Sequence, residues 1–329
     1  MTKFKIPLIT PFFAIALTAC TIARYLQYTT VVEIESGFFA FDGGMLNHIY
    51  YIFFAIAAAG FIALSLIDKK AGRGIQSNIR KAKKGEKTVR AIRKTPPPLS
   101  TVYAIIGAGI SAFCGFLLAT QAVTDFQKGV HFIPLAAVIL AALGFTFAGY
   151  VIFTHKKITP IASLAFLVIA ANYICSGSII FMQRVYTKSM SAVLIELSVL
   201  LLLSVFFLAC GRIAVQSETR FTASIAAVCG YSLVLLAISD AVSRILYYYS
   251  IDASTQHALL RHNDNGFTVP TPLFIAQAVM VLWLIFALSA RNQTAALANQ
   301  GGSAAADEGG LGVHPHSDEE TDNNSTSAD

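Results

Sequence analysis

The sequence predicts an all-α fold, a polytopic transmembrane helix bundle of about eight spans. Three observations carry that prediction. Of 329 residues, 55% are hydrophobic and only 13% are charged, whereas a soluble domain carries about 25% charged residues. The charges collect in a few short stretches separated by runs of ~20 apolar residues, long enough as helix to cross ~30 Å of hydrocarbon. Within those runs there is almost no polar stripe of 3.6-residue period, so the helices are apolar all round, as lipid requires.

The eight runs are Ile6 to Leu26, His48 to Ile67, Thr101 to Thr124, Phe132 to Thr154, Thr159 to Gln183, Ser191 to Gly211, Phe221 to Ser243 and Pro270 to Ala290. Residues 1–290 thus form one transmembrane domain. Residues 291–329, rich in Ala, Gly, Ser, Asn and acidic residues with no hydrophobic period, read as a disordered cytoplasmic tail.

The first span follows Lys3 and Lys5 and contains "LTAC", Leu17 to Cys20. A basic start, a short apolar run and this tetrapeptide also resemble a bacterial lipoprotein signal, in which Cys20 would be lipidated after cleavage. The favoured reading keeps Cys20 inside the first helix, which stays apolar to Leu26. Residues 27–46 then contain no Lys or Arg. "TVVEIE" alternates apolar and acidic residues, Ser36 and Gly37 supply a two-residue turn, and "FFAFD" alternates again. Glu33, Glu35, Ser36, Gly37, Phe38 and Phe39 are therefore expected in a β-hairpin. A lone hairpin is marginal in water and needs a surface to rest on. The candidate is the segment from Arg244 to Val269, with Tyr247 to Tyr249 as an interfacial belt and a short helix capped near Asp252 or Ser254.

Between the second and third spans, residues 68–98 carry eleven basic and two acidic residues. Ile75, Ile79, Ala82, Val89 and Ile92 recur at near-helical spacing among Arg80, Lys81, Lys83, Lys84, Arg90 and Arg93. This is a basic amphipathic segment suited to the anionic inner leaflet. It lacks the aromatic interleaving of a nucleic-acid surface, so nucleic acid is not an expected partner. "TPPPLS" leads stiffly into Ser100, a capping residue for the third span. The loops "DFQKGVH", "HKKITP" and "RVYTKSM" are short enough to make spans three to six antiparallel neighbours. Gly107, Ser111 and Gly115, and likewise Ala55, Ala59 and Ala63, recur at four-residue steps that let helices approach closely. Packing within the chain is the first expectation for them, and a homo-oligomer face the second.

Orientation follows from Lys and Arg. With the N-terminus inside, 18 basic residues fall in inner segments and 5 in outer ones, Arg24 standing apart at the outer end of span one. Both termini are expected in the cytoplasm and the protein in the cell membrane. The five cysteines, Cys20, Cys114, Cys175, Cys210 and Cys229, all fall within spans. No C-x-x-C spacing occurs, so neither disulfides nor a zinc site is expected. His257 and His262 are five apart, and His314 and His316 lie in an acidic tail, so no metal and no cofactor is expected either.

Three ionisable residues lie inside spans: Arg24, Glu196 and Asp240. Residues at such depth usually face a bundle interior or a wet cavity. Asp240 and Arg244 are four apart and can pair along one helix face, and Asn172 with Ser176 could join the same layer. Arg24, Asn172, Glu196, Asp240 and Arg244 are thus the candidate polar pocket. For Arg24 and Asp240 the favoured reading is humbler: snorkelling and self-paired charge at helix ends.

Arg24, Gln27 and "ESGFF", Glu35 to Phe39, followed by a second span, resemble a pattern in uncharacterised multi-pass membrane proteins of Gram-positive bacteria. Those carry Arg-x-x-Gln, an acidic stretch and Thr-Gly-Phe-Phe after the first helix. The resemblance covers about the first seventy residues, with Ser36 in place of the threonine. It implies a bacterial plasma-membrane location and assigns no activity.

An enzyme is not expected. H-E-x-x-H is absent, only Asp240 could serve intramembrane aspartyl proteolysis, no clustered D-x-x-D is present to hold magnesium, and Ser176 has no membrane histidine to activate it. The expected function is a non-catalytic scaffold, or an accessory or sensory component, with a protein partner at an extracytoplasmic docking face. The alternative is a small-solute transporter with an outward-facing polar pocket, although the spans lack the broken helices that commonly build midplane sites.

Overall fold

A computed structural model describes residues 9–30, 48–65, 99–129, 131–155, 158–184, 190–215, 222–250 and 272–288. The expected hairpin residues 31–41, the basic segment, the helix near Asp252, the paired histidines and the acidic tail lie outside these. All of the described elements are helices. They are α1 (Ile9–Thr30), α2 (His48–Ser65), α3 (Thr101–Gln127), α4 (Phe132–His155), α5 (Ala162–Arg184), α6 (Met190–Ala214), α7 (Thr222–Ser250) and α8 (Pro272–Leu288). Seven are long and apolar enough to cross a membrane, and α8 is a shorter apolar helix. The protein has the build of a multi-pass membrane protein.

Two helix ends differ from the sequence expectation. α1 continues past Leu26 to Thr30, and α7 continues past Ser243 to Ser250. Apolarity stops where expected, but the helix does not, because backbone groups near lipid are best satisfied by further helical turns. Gln27 and Arg244 are therefore helical residues and not the first residues of loops. The start of α3 is as expected: Ser100 Oγ accepts from the Tyr103 N–H at 3.3 Å. Ser100→Ala should lower stability by about 0.5–1 kcal/mol, measurable as a small fall in thermal midpoint. At the other end of α3, Gly129 takes φ +70°, which a glycine accepts without strain, and turns the chain into α4.

The contacts fix the layout. α3 packs on α4, α4 on α5, α5 on α6, α6 on α7, and α7 on α1. α1 and α7 run parallel: Phe13 meets Tyr231 near one end and Tyr28 stacks on Tyr247 at the other. α2 returns antiparallel to α1, with the Phe12 and Phe61 rings edge to face. α8 fills the interior, since Gly107 of α3 lies under the Trp283 ring and Gly230 of α7 lies against Ile285 and Phe206. Two thirds of the α7 span is buried (67%) against 17% of the α2 span, so α7 is central and α2 peripheral.

Small residues act differently in these two settings. On α3, Gly107, Ser111 and Gly115 are buried, and Ser111 Oγ donates to the Phe145 carbonyl of α4 at 2.7 Å. On α2, Ala55, Ala59 and Ala63 are exposed. The expected packing within the chain is therefore found on α3 and not on α2, which has neighbours on one side only. Elsewhere the surface is a belt of exposed apolar side chains such as Ile15, Phe116, Phe132 and Leu164, as a lipid-facing surface requires.

Candidate functional site

The connections α1 to α2, α3 to α4, α5 to α6 and α7 to α8 all leave from one end of the bundle, here the Thr30 end. Six residues before that end, Arg24 is 0% exposed. Snorkelling is thus overturned for Arg24. The extension of α1 places a further turn and a half above it, and α7 supplies a partner at its own depth.

That partner is Asp240, 7% exposed. Arg24 Nη2 lies 2.8 Å from Asp240 Oδ1, and Arg24 Nε donates to the same oxygen at 2.9 Å. Arg244 Nη2 lies 2.6 Å from Asp240 Oδ2, the four-residue pairing that the spacing predicts. One carboxylate is shared by two guanidinium groups, a charge-assisted arrangement stronger than neutral hydrogen bonds. Tyr28 ties it together. Its hydroxyl donates to Asp240 Oδ1 at 3.0 Å and accepts from Arg244 Nε at 2.9 Å and from Arg24 Nη2 at 3.3 Å. Arg24 Nη1 donates to Gln27 Oε1 at 2.9 Å, which gives the Arg-x-x-Gln spacing a physical reason: one helical turn places the amide beside the guanidinium.

The guanidinium of Arg24 also lies over two rings. Its Cζ is 4.8 Å from the Tyr28 centroid and 5.1 Å from that of Tyr50 on α2. A desolvated cation between aromatic faces gains on the order of 2 kcal/mol. The Tyr50 hydroxyl in turn meets Ser239 Oγ of α7 at 3.0 Å. Ser243 Oγ lies 3.0 Å from the Thr21 carbonyl of α1 and 2.6 Å from that of Ser239. The result is a clasp joining α1, α2 and α7 through buried polar groups.

The other expected members lie apart from these contacts. From the level at which Gly230, Phe206 and Ile285 meet, ten residues along α7 reach Asp240 and ten back along α6 reach Glu196. At 1.5 Å per residue both stand ~15 Å nearer the Thr30 end. Glu196, 3% exposed, thus shares the depth of the clasp on another helix. Asn172 is deeper on α5 and also 3% exposed, and its Oδ1 has no hydrogen-bond partner. The residue after it, Tyr173, and Gln277 of α8 likewise carry buried polar atoms without a partner. Sequence reading missed Tyr28, Tyr50, Ser239, Ser243, Tyr173 and Gln277. Only Tyr28 had a local signal, one turn beyond Arg24.

Among the described residues no three His, Cys, Asp or Glu side chains come together as metal ligands. All five cysteines are free thiols, and Cys20 is buried within α1. An apolar groove of about 520 Å³ runs between α3 and α4, lined by Gly115, Phe116, Ala119, Ile139 and Leu143 among others and by no residue of the clasp. Compared with family models, with curated proteins and with solved structures, the chain matches none.

Proposed function

We propose that the chain is a non-catalytic scaffold or accessory component of the cell membrane, with its Thr30 end outside and both termini in the cytoplasm. One observation carries this reading: Arg24, Asp240 and Arg244, three of the four charged groups expected to bind a solute, hold each other instead, and they do so beside the two longest connections of that end. Both oxygens of Asp240 are engaged by arginines of its own bundle. Residues 31–47 leave α1 just beyond Tyr28, and residues 251–271 leave α7 just beyond Tyr247, and those two tyrosines stack at 5.8 Å. The clasp makes a firm base from which both segments reach one protein partner.

On the opposite side, the basic segment between α2 and α3 lies against anionic lipid, where each Lys or Arg contributes about 1 kcal/mol. The exposed Ala55, Ala59 and Ala63 face of α2 suits a second copy of the chain. A solute carrier is less well supported, since a binding layer needs groups that can exchange partners with the solute.

Two measurements test the proposal. Single cysteines placed within residues 31–46 should react with an impermeant thiol reagent added to intact cells. Labelling only after the membrane is opened overturns the orientation. Deleting Val31 to Phe41 should abolish crosslinking to the partner in native membranes while leaving insertion unchanged. A deletion variant that keeps every crosslink overturns the docking role.

A further inference from the structure

The groove between α3 and α4 arises from a low floor between tall walls. Ala112, Gly115 and Ala119 recur along one face of α3 and form the floor, while Phe116 of α3 and Ile139 and Leu143 of α4 stand exposed beside it. Thr146 is its one lining residue with a polar side chain, and Thr146 Oγ1 already donates to the Ala142 carbonyl at 2.9 Å. No polar side chain is left to receive a guest, so whatever fills the groove does so with hydrocarbon. An empty groove on a lipid-facing surface would forfeit dispersion contacts along its whole length.

Its dimensions decide between the two hydrocarbon occupants a membrane offers, a helix and an acyl chain. The lining of α3 runs from Ala112 to Phe126, a rise of ~21 Å. The volume of about 520 Å³ spread over that length is a section of ~25 Å². A helix ~10 Å across needs ~80 Å² and could only bridge the rim. A polymethylene chain, ~5 Å across from carbon contact distances, needs roughly 20 Å² and fits within it.

Depth agrees with section. α3 has 27 residues, ~40 Å of helix, which matches a whole bilayer of ~40–45 Å including headgroups. The groove occupies only the half towards Gln127, at the Thr30 end of the bundle. Inward of Thr146 the same face of α4 continues with Tyr150 and Phe153, both exposed and bulky. A helix packed along the full thickness would meet these two rings, whereas a lipid of one leaflet stops short of them. We propose that the groove between α3 and α4 holds one acyl chain of a diacyl phospholipid from the leaflet on the Thr30 side. Walls on both sides give that chain more contacts than bulk lipid does, so it exchanges more slowly than its neighbours. The site is independent of the docking reading.

The test is native mass spectrometry of the full chain, purified in detergent and titrated with palmitoyl-oleoyl phosphatidylcholine. The natural chain should bind one phospholipid saturably, ahead of any further adducts. Ala119→Phe and Ala112→Phe, which fill the floor at two separate levels, should each weaken that first binding at least fivefold. Leu164→Phe, on an exposed face of α5 outside the groove, should leave it unchanged. Unaltered Trp283 emission identifies filled variants in which α8 is still seated on α3, and Ile139→Ala, which removes part of a wall, should weaken binding at least twofold should neither filled variant fold. Absence of a saturable first phospholipid overturns the proposal, as does undiminished binding in the variants that fold. A natural chain that is dimeric, and that Ala119→Phe makes monomeric, assigns the groove to a second copy and overturns it equally.

Discussion

Asp240→Asn should lower the stability of the folded bundle by about 3–5 kcal/mol, the loss typical when one member of a buried charge set is removed. Asn keeps the shape of the side chain and removes the charge, so two guanidinium groups are left facing each other, one of them 0% exposed. The driving force makes the effect large. Apolar helix faces gain little from leaving lipid for one another, so packing and polar contacts hold a membrane bundle together. Arg24 on an α1 undocked from α7 would meet hydrocarbon, at about 2.5–3.5 kcal/mol on insertion scales. Arg24→Gln, which leaves the Asp240–Arg244 pair intact, should lose less. Combining it with Asp240→Asn should lose less than the sum, with a coupling above ~1.5 kcal/mol. Equilibrium unfolding of the full chain in mixed micelles reads all of these. An Asp240→Asn chain within ~0.5 kcal/mol of the natural one would show that the clasp holds nothing.

Sequence reading reached this site only halfway, for a physical reason. The Asp240–Arg244 pair is local, and helical spacing brings the two together whatever the rest of the chain does. Arg24 and Asp240 are separated by 216 residues, and no periodicity records which helices become neighbours. Judged alone, an arginine near the end of an apolar run snorkels, and only the docking of α7 makes the opposite outcome favourable. The helices themselves were legible because hydrocarbon thickness fixes a minimum apolar length, whereas their ends were not, since Gln27 and Arg244 are polar yet still helical. The same division separates Gly107, Ser111 and Gly115 from Ala55, Ala59 and Ala63. Both patterns permit close approach, and tertiary position decides that only the first is used. Gln277 gave no signal at all, because one amide in an apolar run is ordinary until the packing of its helix shows it buried.

Gly107→Leu should be the most damaging substitution that involves no charge, with a loss of about 3 kcal/mol. Overpacking typically costs 1–3 kcal/mol, and the setting puts this case at the upper end. A Cβ at Gly107 would run into the Trp283 ring, so the neighbouring side chain must move. Trp283 is poorly able to do so. Its Nε1 donates to the Tyr103 carbonyl at 3.1 Å, the Tyr103 hydroxyl donates to the Trp283 carbonyl at 3.0 Å, and the two rings stack at 5.2 Å. Displacing the indole therefore breaks two hydrogen bonds and the contact that seats α8 against α3. Gly109, two residues on, faces open space: a Cβ there would meet nothing within 4 Å. Gly109→Leu should therefore be neutral or slightly stabilising, since glycine disfavours helix by about 1 kcal/mol relative to alanine. The pair separates local crowding from any general intolerance of α3 to larger residues. Because the chain has a single tryptophan, its emission reports the seat directly: Gly107→Leu should shift it to the red, Gly109→Leu should leave it unchanged, and Trp283→Leu should recover part of the stability lost at Gly107. Equal losses at the two glycines would mean that α8 is not seated on α3 through this contact.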